Sequence, residues 1–295
     1  MKPAPFEYFA PHDLDEALGL LSQHAETGKV LAGGQSLVPM LSLRLASPGQ
    51  LIDINRLDGL DYVRVQDGGL AIGATARQRQ VERSTEVAQV NPLLVEALSN
   101  VAHPPIRNRG TVAGSLAHAD PAAELPATWL ALDGRATLSS SRGSRTVDAA
   151  GFFSSYFTTE MAPDELLAEV WIRNLGPGEG WSFKEISRRH GDFALVGAVA
   201  LMTLEDGVIA DSRLVLLGVG GTPLRMSTAE AHLKGARPGE EAFREAEALV
   251  REAVNPENDV HASADYRVHV AGVMARRVLQ EAAERAAGSG SGGAN

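Results

Sequence analysis

Two turns of small residues lie far apart in this sequence, each set among apolar residues. The first, Ala32–Ser36, reads Ala-Gly-Gly-Gln-Ser, and the second, Thr111–Ser115, reads Thr-Val-Ala-Gly-Ser. Because glycine has no Cβ, a phosphate can approach its backbone more closely than that of other residues. Successive amides in such a turn form a concave group of donors, a nest, for phosphate oxygens. Two nests in one chain predict binding of a diphosphate, the linkage at the middle of a dinucleotide cofactor.

Taken alone, the first turn is explained equally well by a tight connection between a strand and a helix. The second turn is a weaker signal, because Ala113 replaces a potential glycine. Neither turn has the Gly-x-Gly-x-x-Gly spacing of a Rossmann site, and no lysine-bearing P-loop is present. The predicted nucleotide site is therefore of another kind, and ATP or GTP hydrolysis is disfavoured.

Composition narrows the class of protein. The chain has 295 residues and a formal net charge of −10, which disfavours a nucleic-acid partner. No apolar run is long enough to span a bilayer and residues 1–5 lack the apolar core of a signal peptide, so a cytoplasmic protein is expected. The sequence contains no cysteine, so it carries no disulfide and no iron–sulfur cluster of its own. Any iron–sulfur centre that serves this protein must lie on another chain.

Several polar residues near the second turn have both an ordinary and a functional interpretation. Asp120 and Glu124 lie where a helix is expected to begin, which favours capping and dipole compensation. Their alternative role is to accept hydrogen bonds from ribose or ring N–H groups. His103 and His118 flank the turn, but no further metal ligands are visible, so no metal site is predicted. We interpret them as polar loop residues, with His118 near a cofactor as the alternative.

A basic cluster, Lys184, Arg188 and Arg189, follows later in the chain. Most such clusters are solvated faces of a strand or helix. A lysine near the pyrimidine edge of a flavin would stabilise the anionic reduced ring, which is the functional alternative for Lys184. Phe193 either packs in the core or lies against a flat ring, and its residue type favours the core. No Ser/His/Asp arrangement supports a hydrolase, and no catalytic residue is assigned.

Hydrophobic periodicity and turn residues predict an α+β protein in several parts. A small lobe covers residues 1–57, with a strand at 29–31 and a helix at 37–43 on either side of the first turn. A second lobe covers residues 58–176, and the second turn follows a helix at 92–100. Antiparallel strands and helices are expected over 177–287, and a flexible Gly/Ser tail over 288–295.

Taken in order, four segments resemble the FAD-binding medium subunits of molybdenum hydroxylases, the xanthine dehydrogenase and carbon monoxide dehydrogenase group. The segments are Val30–Leu37, Ile106–Ser115, Ala119–Pro126 and Phe183–Arg189. The order and spacing hold to about Ala287. The resemblance implies an FAD site formed by both turns and by residues after them. The implied cofactor-binding residues are Leu31, Ala32, Gly33, Gly34, Gln35, Ser36, Leu37, Val101, Thr111, Val112, Ala113, Gly114, Ser115, Glu124, Leu167, Lys184 and Phe193. His118 and Asp120 are added to the predicted site from their residue types and positions.

The resemblance also implies roles for single residues. Phe193 would lie near the reactive N5 edge of the flavin, and Leu167 near the adenine or the ring. Val101 matches a position where relatives often carry a larger side chain near the cofactor. Ala113 departs from the glycine that is common in the family, and we expect it to adjust FAD affinity without abolishing binding.

The implied fold is a two-lobed FAD-binding domain of the vanillyl-alcohol-oxidase (PCMH) type, followed by a C-terminal antiparallel sheet-and-helix domain. The implied partners are a large molybdopterin subunit and a small iron–sulfur subunit, assembled as a dimer of heterotrimers. Electrons would pass from the iron–sulfur clusters to FAD and then to an external acceptor. Two alternatives stay open: a stand-alone flavin oxidoreductase of the same fold, and a nucleotide-binding scaffold without redox function.

Overall fold

The computed structural model describes residues 1–290, and its first part is a small parallel sheet. β3 lies between β1 and β2 and pairs in parallel with both. The elements are β1 (Glu7–Phe9), α1 (Leu14–Gln23), β2 (Gly28–Leu31), α2 (Leu37–Leu43), β3 (Gln50–Asp53) and a 3₁₀ helix at Ile54–Arg56. The Asp13 side chain caps α1, because its carboxylate accepts a hydrogen bond from the Glu16 amide at 2.8 Å. The Ala32–Ser36 turn therefore joins the carboxyl end of β2 to the start of α2.

A second, antiparallel sheet forms the centre of the molecule, in the order β4-β5-β10-β6-β7. Its strands are β4 (Val63–Gln66), β5 (Gly69–Gly73), β6 (Arg135–Ser140), β7 (Gly143–Asp148) and β10 (Leu166–Arg173), with a separate pair β8 (Phe153–Ser155) and β9 (Thr158–Thr159). Asp67 and Gly68 turn the first hairpin with φ of 52° and 73°. Positive φ at both central residues matches the right-handed twist of the flanking strands, so Asp67 and Gly68 suit this tight hairpin.

Seven helices pack around the central sheet within the described residues. They are α3 (Gln78–Arg83), α4 (Thr85–Val90), α5 (Pro92–Asn100), α6 (Pro104–Arg107), α7 (Val112–His118), α8 (Glu124–Ala131) and α9 (Ala149–Phe152). The sequence does not predict α4, because Thr85, Val87 and Val90 are β-branched and form helices weakly. Tertiary packing decides here, since Val87 is fully buried and the Ser84 hydroxyl caps the helix.

The C-terminal part of the chain is a four-stranded antiparallel sheet in the order β11-β12-β13-β14, covered by helices. The elements are β11 (Gly180–Ser187), β12 (Ala194–Glu205), β13 (Val208–Leu217), β14 (Leu224–Arg225), α10 (Ser227–Leu233), α11 (Glu240–Ala253) and α12 (Ala264–Gly290). Both faces of β12 are buried: Ala198 and Ala200 pack with α12, whereas Val199 and Leu201 join the core of the central sheet. The C-terminal sheet is therefore continuous in packing with the central one.

α12 extends through Gly290, and residues 291–295 of the predicted flexible tail lie outside the described residues. Between residues 1 and 290, no helix has the length and apolar character needed to cross a membrane.

One glycine lets β11 lie directly on α12. A methyl group at Gly180 would overlap the Ala282 carbonyl oxygen, in backbone that cannot move independently. We expect Gly180→Ala to lower the free energy of unfolding by about 1–3 kcal/mol, through overpacking. Urea denaturation measures the change. Gly19→Ala is the matched control, because Gly19 lies in helix α1 with open space around it. The free energy of unfolding of the control should rise by about 0.5–1 kcal/mol. Equal stability of both variants would contradict the close approach of β11 to α12.

Candidate cofactor-binding site

The two predicted turns, which come from different sheets, meet in the folded protein. A methyl group on Gly33 would overlap the Arg109 carbonyl oxygen, just before the second turn. A methyl group on Gly114 would lie 3.9 Å from the Ala32 Cβ. Gly33 is therefore required by loop-to-loop packing, and its missing side chain leaves room for protein backbone instead of for a phosphate.

A cavity of about 330 Å³ opens beside the first turn. Its lining includes five residues that the sequence identifies, Leu31, Ala32, Gly33, Gly34 and Gln35. It also includes five that the sequence misses, Val38, Pro39, Asp53, Asn55 and Arg109. No local motif marks the missed residues, because they reach the cavity from α2, from the end of β3 and from the segment before α7.

The first turn presents backbone donors to this cavity. Gly34 has φ of 74°, the left-handed conformation that glycine adopts without strain. Among the described residues, none accepts a hydrogen bond from the amides of Gly34, Gln35 or Ser36. Unpaired successive amides are the feature of an anion-binding nest. Ser36 and Leu37 complete the turn, and Leu37 begins α2.

The second turn is the start of α7. The Thr111 hydroxyl caps this helix by accepting a hydrogen bond from the Gly114 amide at 3.0 Å. Val112 and Ala113 are buried, whereas Gly114 and Ser115 are half-buried. The methyl group of Ala113 lies in the hydrophobic core, so it does not narrow the cavity.

A hydrogen-bond network centred on the half-buried Arg77 fixes the two turns to each other. The Arg77 guanidinium donates to the Arg109 carbonyl at 2.7 Å and to the Asn55 side-chain oxygen at 2.6 Å. The Asn55 amide in turn donates to the Ala32 carbonyl at 2.8 Å. Burial, together with the nearby charge of Arg109, lowers the pKa of Arg77. The sequence gives no signal for Arg77, since its role depends on three segments that are distant in the chain.

A second cluster of predicted residues lies where the C-terminal sheet meets the helices of the central sheet. Arg107 is buried, forms a two-point ion pair with Glu82 at 2.9 and 3.0 Å, and donates to the Val101 carbonyl at 2.7 Å. Gly191 packs against the ring of His103 so closely that a side chain there would overlap it. The loop after β11 therefore lies directly over the segment that Arg107 holds.

Phe193 belongs to the same loop, and 69% of its surface is exposed. The core position favoured by its residue type is therefore wrong. An exposed aromatic ring beside the second cluster is available to lie against a flat ligand, which stays a prediction.

Two carboxyl groups at this junction have raised pKa values, Glu124 on α8 and Glu185 on β11. Glu124 is the first residue of α8, and burial raises its pKa to about 7. Burial, together with the charge of Glu124, raises the pKa of Glu185 to about 8. One carboxylate oxygen of Glu185, Oε2, is buried without a hydrogen-bond partner in the described structure. The sequence misses Glu185, although alternation along a strand would have placed it on the face of Phe183 and opposite Lys184.

Four other predicted residues have structural partners of their own. Lys184 forms an ion pair with Glu281 of α12 at 2.5 Å, on the sheet face opposite Glu185. Leu167 is buried in the core. The ring of His118 packs against Phe157 at 5.2 Å. Asp120 accepts a hydrogen bond from the Ala122 amide at 2.9 Å, which is its ordinary capping role. A cofactor contact for each of these four stays a prediction.

Comparison with known families shows to which family a chain with this fold and these turns belongs. Residues 4–173 match the family model described as the FAD binding domain in molybdopterin dehydrogenase, and residues 181–282 match the CO dehydrogenase flavoprotein C-terminal domain. The chain belongs to the FAD-binding medium subunits of the molybdenum hydroxylases. The predicted family and the FAD cofactor are therefore confirmed.

Individual relatives cover nearly the whole medium subunit. The 6-hydroxypseudooxynicotine dehydrogenase complex subunit alpha of Paenarthrobacter nicotinovorans is 42% identical over 97% of both chains. Among solved structures, a carbon monoxide dehydrogenase from Hydrogenophaga pseudoflava matches with a TM-score of 0.94 and 37% identity, over 97% of this chain and 99% of that one. Quinoline 2-oxidoreductase from Pseudomonas putida 86 matches with a TM-score of 0.93 and 35% identity, over 97% and 99%. The predicted α+β fold is confirmed, and the arrangement is consistent with the PCMH type.

The described residues fit the diphosphate of FAD. The medium subunit offers the unpaired amides of the left-handed Gly34 and of Gln35, together with the exposed cation Arg109, around one cavity. Backbone amides and a guanidinium are the donors that proteins use for phosphate oxygens. Val101, Glu124 and Phe193 would hold the ring end, at the second cluster.

Arg77 provides a test of the loop contact. We expect Arg77→Met to weaken FAD binding about tenfold to a hundredfold, because it removes two charged hydrogen bonds that position the turns. Fluorescence titration of the FAD-free protein measures the affinity, and circular dichroism checks folding. Arg83→Met, which changes an exposed arginine on the same helix, is the control. Unchanged affinity in a folded Arg77→Met protein would show that the turns do not need this link.

The Glu124–Glu185 pair predicts a pH dependence of stability. Both carboxyl groups hold their protons more tightly in the folded protein than at the ordinary pKa of 4.5. Their contribution to stability is therefore present in full below about pH 4.5 and is lost as the pH rises through about 7 and 8. In the FAD-free protein at pH 9, the melting temperature of Glu185→Gln should lie about 2–4 °C above that of wild type. The variant should also lose less stability than wild type between pH 6 and 9.

Thermal melts across this pH range decide the outcome. Glu205→Gln serves as the control, since Glu205 is exposed at the end of β12. Parallel melting curves for wild type and Glu185→Gln would mean that the two carboxyl groups do not share a buried site.

Proposed function

We propose that this medium subunit transfers electrons from iron–sulfur clusters on a partner subunit, through its FAD, to an external acceptor. The observation that carries the proposal is a donor-lined cavity beside the first turn, in a chain that contains no cysteine. Such a chain can hold a flavin but has no thiolate ligand for a cluster. The electrons must therefore enter from another polypeptide.

The residues of this chain bind and orient the cofactor. When bound, FAD supplies the reversible uptake of one or two electrons. The first turn and Arg109 would hold the diphosphate. Arg77 keeps the first turn and the backbone of Arg109 in position. Glu124 and Phe193 would border the flavin ring. The polarity and solvent access of the site there would affect the redox properties of the flavin. No side chain of this chain is assigned to substrate chemistry.

The substrate would react on the molybdopterin subunit. Solved relatives with TM-scores of 0.94 and 0.93 to this chain are named for carbon monoxide and for quinoline. Since the medium-subunit fold stays the same while those substrates differ, selection of the substrate belongs to another subunit. A cytoplasmic location and a dimer of heterotrimers are part of the same proposal. The predicted domain boundaries near residues 57 and 176 also belong to this proposal.

Isolation of the chain with and without its partners tests the proposal. We expect the isolated chain to bind one FAD and to show no turnover with an organic substrate, because it has no substrate site. In the purified complex, substrate should bleach the flavin absorbance. A folded, FAD-supplemented chain without flavin absorbance would exclude the proposal.

The same preparation separates the alternatives. Turnover by the isolated chain would favour a stand-alone flavin oxidoreductase. In a competition titration, equal affinity for FAD and ADP would favour the nucleotide-binding scaffold.

A further inference from the structure

Arg107 is a buried arginine whose guanidinium is directed at the protein itself. Only 5% of its surface is exposed. Its Nε and Nη2 atoms donate to the two carboxylate oxygens of Glu82 on α3, at 2.9 and 3.0 Å. Its Nη1 atom donates to the successive carbonyls of Val101 and Ala102, at 2.7 and 3.2 Å. Because every nitrogen of the guanidinium donates to a protein oxygen, Arg107 acts on a ligand through the segment that it holds.

The segment held by Arg107 has a strained backbone. Ala102 joins Val101, which ends α5, to His103, which precedes α6, and its φ is 40°. Alanine adopts the left-handed conformation at a cost in free energy, because its Cβ crowds the following carbonyl oxygen. Such a conformation persists only where surrounding contacts impose it. One planar guanidinium that binds two successive carbonyls is a contact of this kind.

The same segment supports the loop between β11 and β12. A methyl group at Gly191 would overlap the ring of His103. The ring of His190 also lies against the His103 ring, with 6.2 Å between their centroids. Phe193 is in this loop, two residues after Gly191. The position of the loop therefore depends, through His103, on the backbone that Arg107 fixes.

The charge of Arg107 also acts on this cluster. Glu82 pairs with Arg79 as well, at 2.8 Å, so two cations share one carboxylate and the group keeps a net positive charge. Burial raises the pKa of Glu124 to about 7, and the charge of Arg107 acts in the opposite direction. A buried positive charge favours negative charge nearby. Since a flavin gains negative charge on reduction, a cation near its ring favours the reduced form.

We propose that Arg107 is a positioning residue for the flavin ring, because it fixes the backbone of Val101 and Ala102 and thereby the loop that carries Phe193. This rests on the proposed function, which places the ring beside Glu124 and Phe193. Arg107 does not itself bind the cofactor. Its two effects, on the position of the segment and on the local charge, are separable by substitution.

Arg107→Met removes both effects and is made in the full chain. The affinity for FAD should fall about tenfold or more, as measured by fluorescence titration. The visible circular dichroism of the bound flavin should change, because the surroundings of the ring move. The reduction potential of the bound FAD, measured against a reference dye, should become more negative. Circular dichroism in the far ultraviolet checks folding.

Arg79→Met is the matched control. It removes the other arginine that pairs with Glu82, but in the described structure Arg79 donates to neither the Val101 nor the Ala102 carbonyl. Arg79 is also not among the groups that shift the pKa of Glu124. We therefore expect wild-type affinity, flavin circular dichroism and reduction potential in this variant.

Arg107→Lys separates position from charge. Lysine keeps a cation beside Glu82, which preserves the ion pair, but its single nitrogen cannot bind the carboxylate and both carbonyls together. The reduction potential should therefore stay near that of wild type. The FAD affinity should still be reduced several-fold, and the visible circular dichroism should still differ from that of wild type.

Two results would overturn the proposal. One is a wild-type flavin circular dichroism spectrum in a folded Arg107→Met protein or, where that variant does not fold, in Arg107→Lys. The other is an equal change in Arg79→Met, which would assign the effect to the ion pairs of Glu82 alone. A wild-type chain that binds no FAD, in contrast, would reject the proposed function itself.

Discussion

The contact between the two glycine-containing turns is the constraint on which the rest of this site depends. One turn follows a strand of the parallel sheet and the other begins a helix on the central sheet, so no local backbone structure connects them. Arg77 does so, because its rigid fork of donors reaches the Arg109 carbonyl and Asn55 at the same time. A lysine has a single nitrogen and could not fix both directions. The cavity exists where it does because these groups hold two separate layers of the fold at one spacing.

The two ends of the site differ in electrostatic character. The cavity end is rich in donors, with unpaired amides and Arg109, and suits an anion. The other end contains Glu124 and Glu185, two carboxyl groups that are removed from water and have no cation directly paired with them in the described structure. Burial makes the charged form of a carboxyl group unfavourable, so both keep their protons to a higher pH than usual. A protonated carboxyl group can donate a hydrogen bond, which an ionised one cannot. These two groups of residues thus offer backbone dipoles, one guanidinium and acids with raised pKa values.

This division of roles agrees with membership of the medium subunits. A chain without cysteine holds the flavin and depends on other chains for iron–sulfur and molybdenum chemistry. Its fold is nearly the same as in relatives that are named for different substrates.

The sequence by itself determined the local elements of this protein. Capping by Asp13, the turn at Asp67 and Gly68, and the strand and helix on either side of Ala32–Ser36 all follow from neighbouring residues. The absence of cysteine and the order of four motifs were sufficient for the family. Only the tertiary structure decided that Gly33 makes room for the backbone at Arg109, that Arg77 joins the turns and that burial raises the pKa of Glu185. The physical reason is range: capping and turn preferences act within a few residues, whereas burial, ion pairs and the lining of a cavity depend on segments that meet only when the sheets pack.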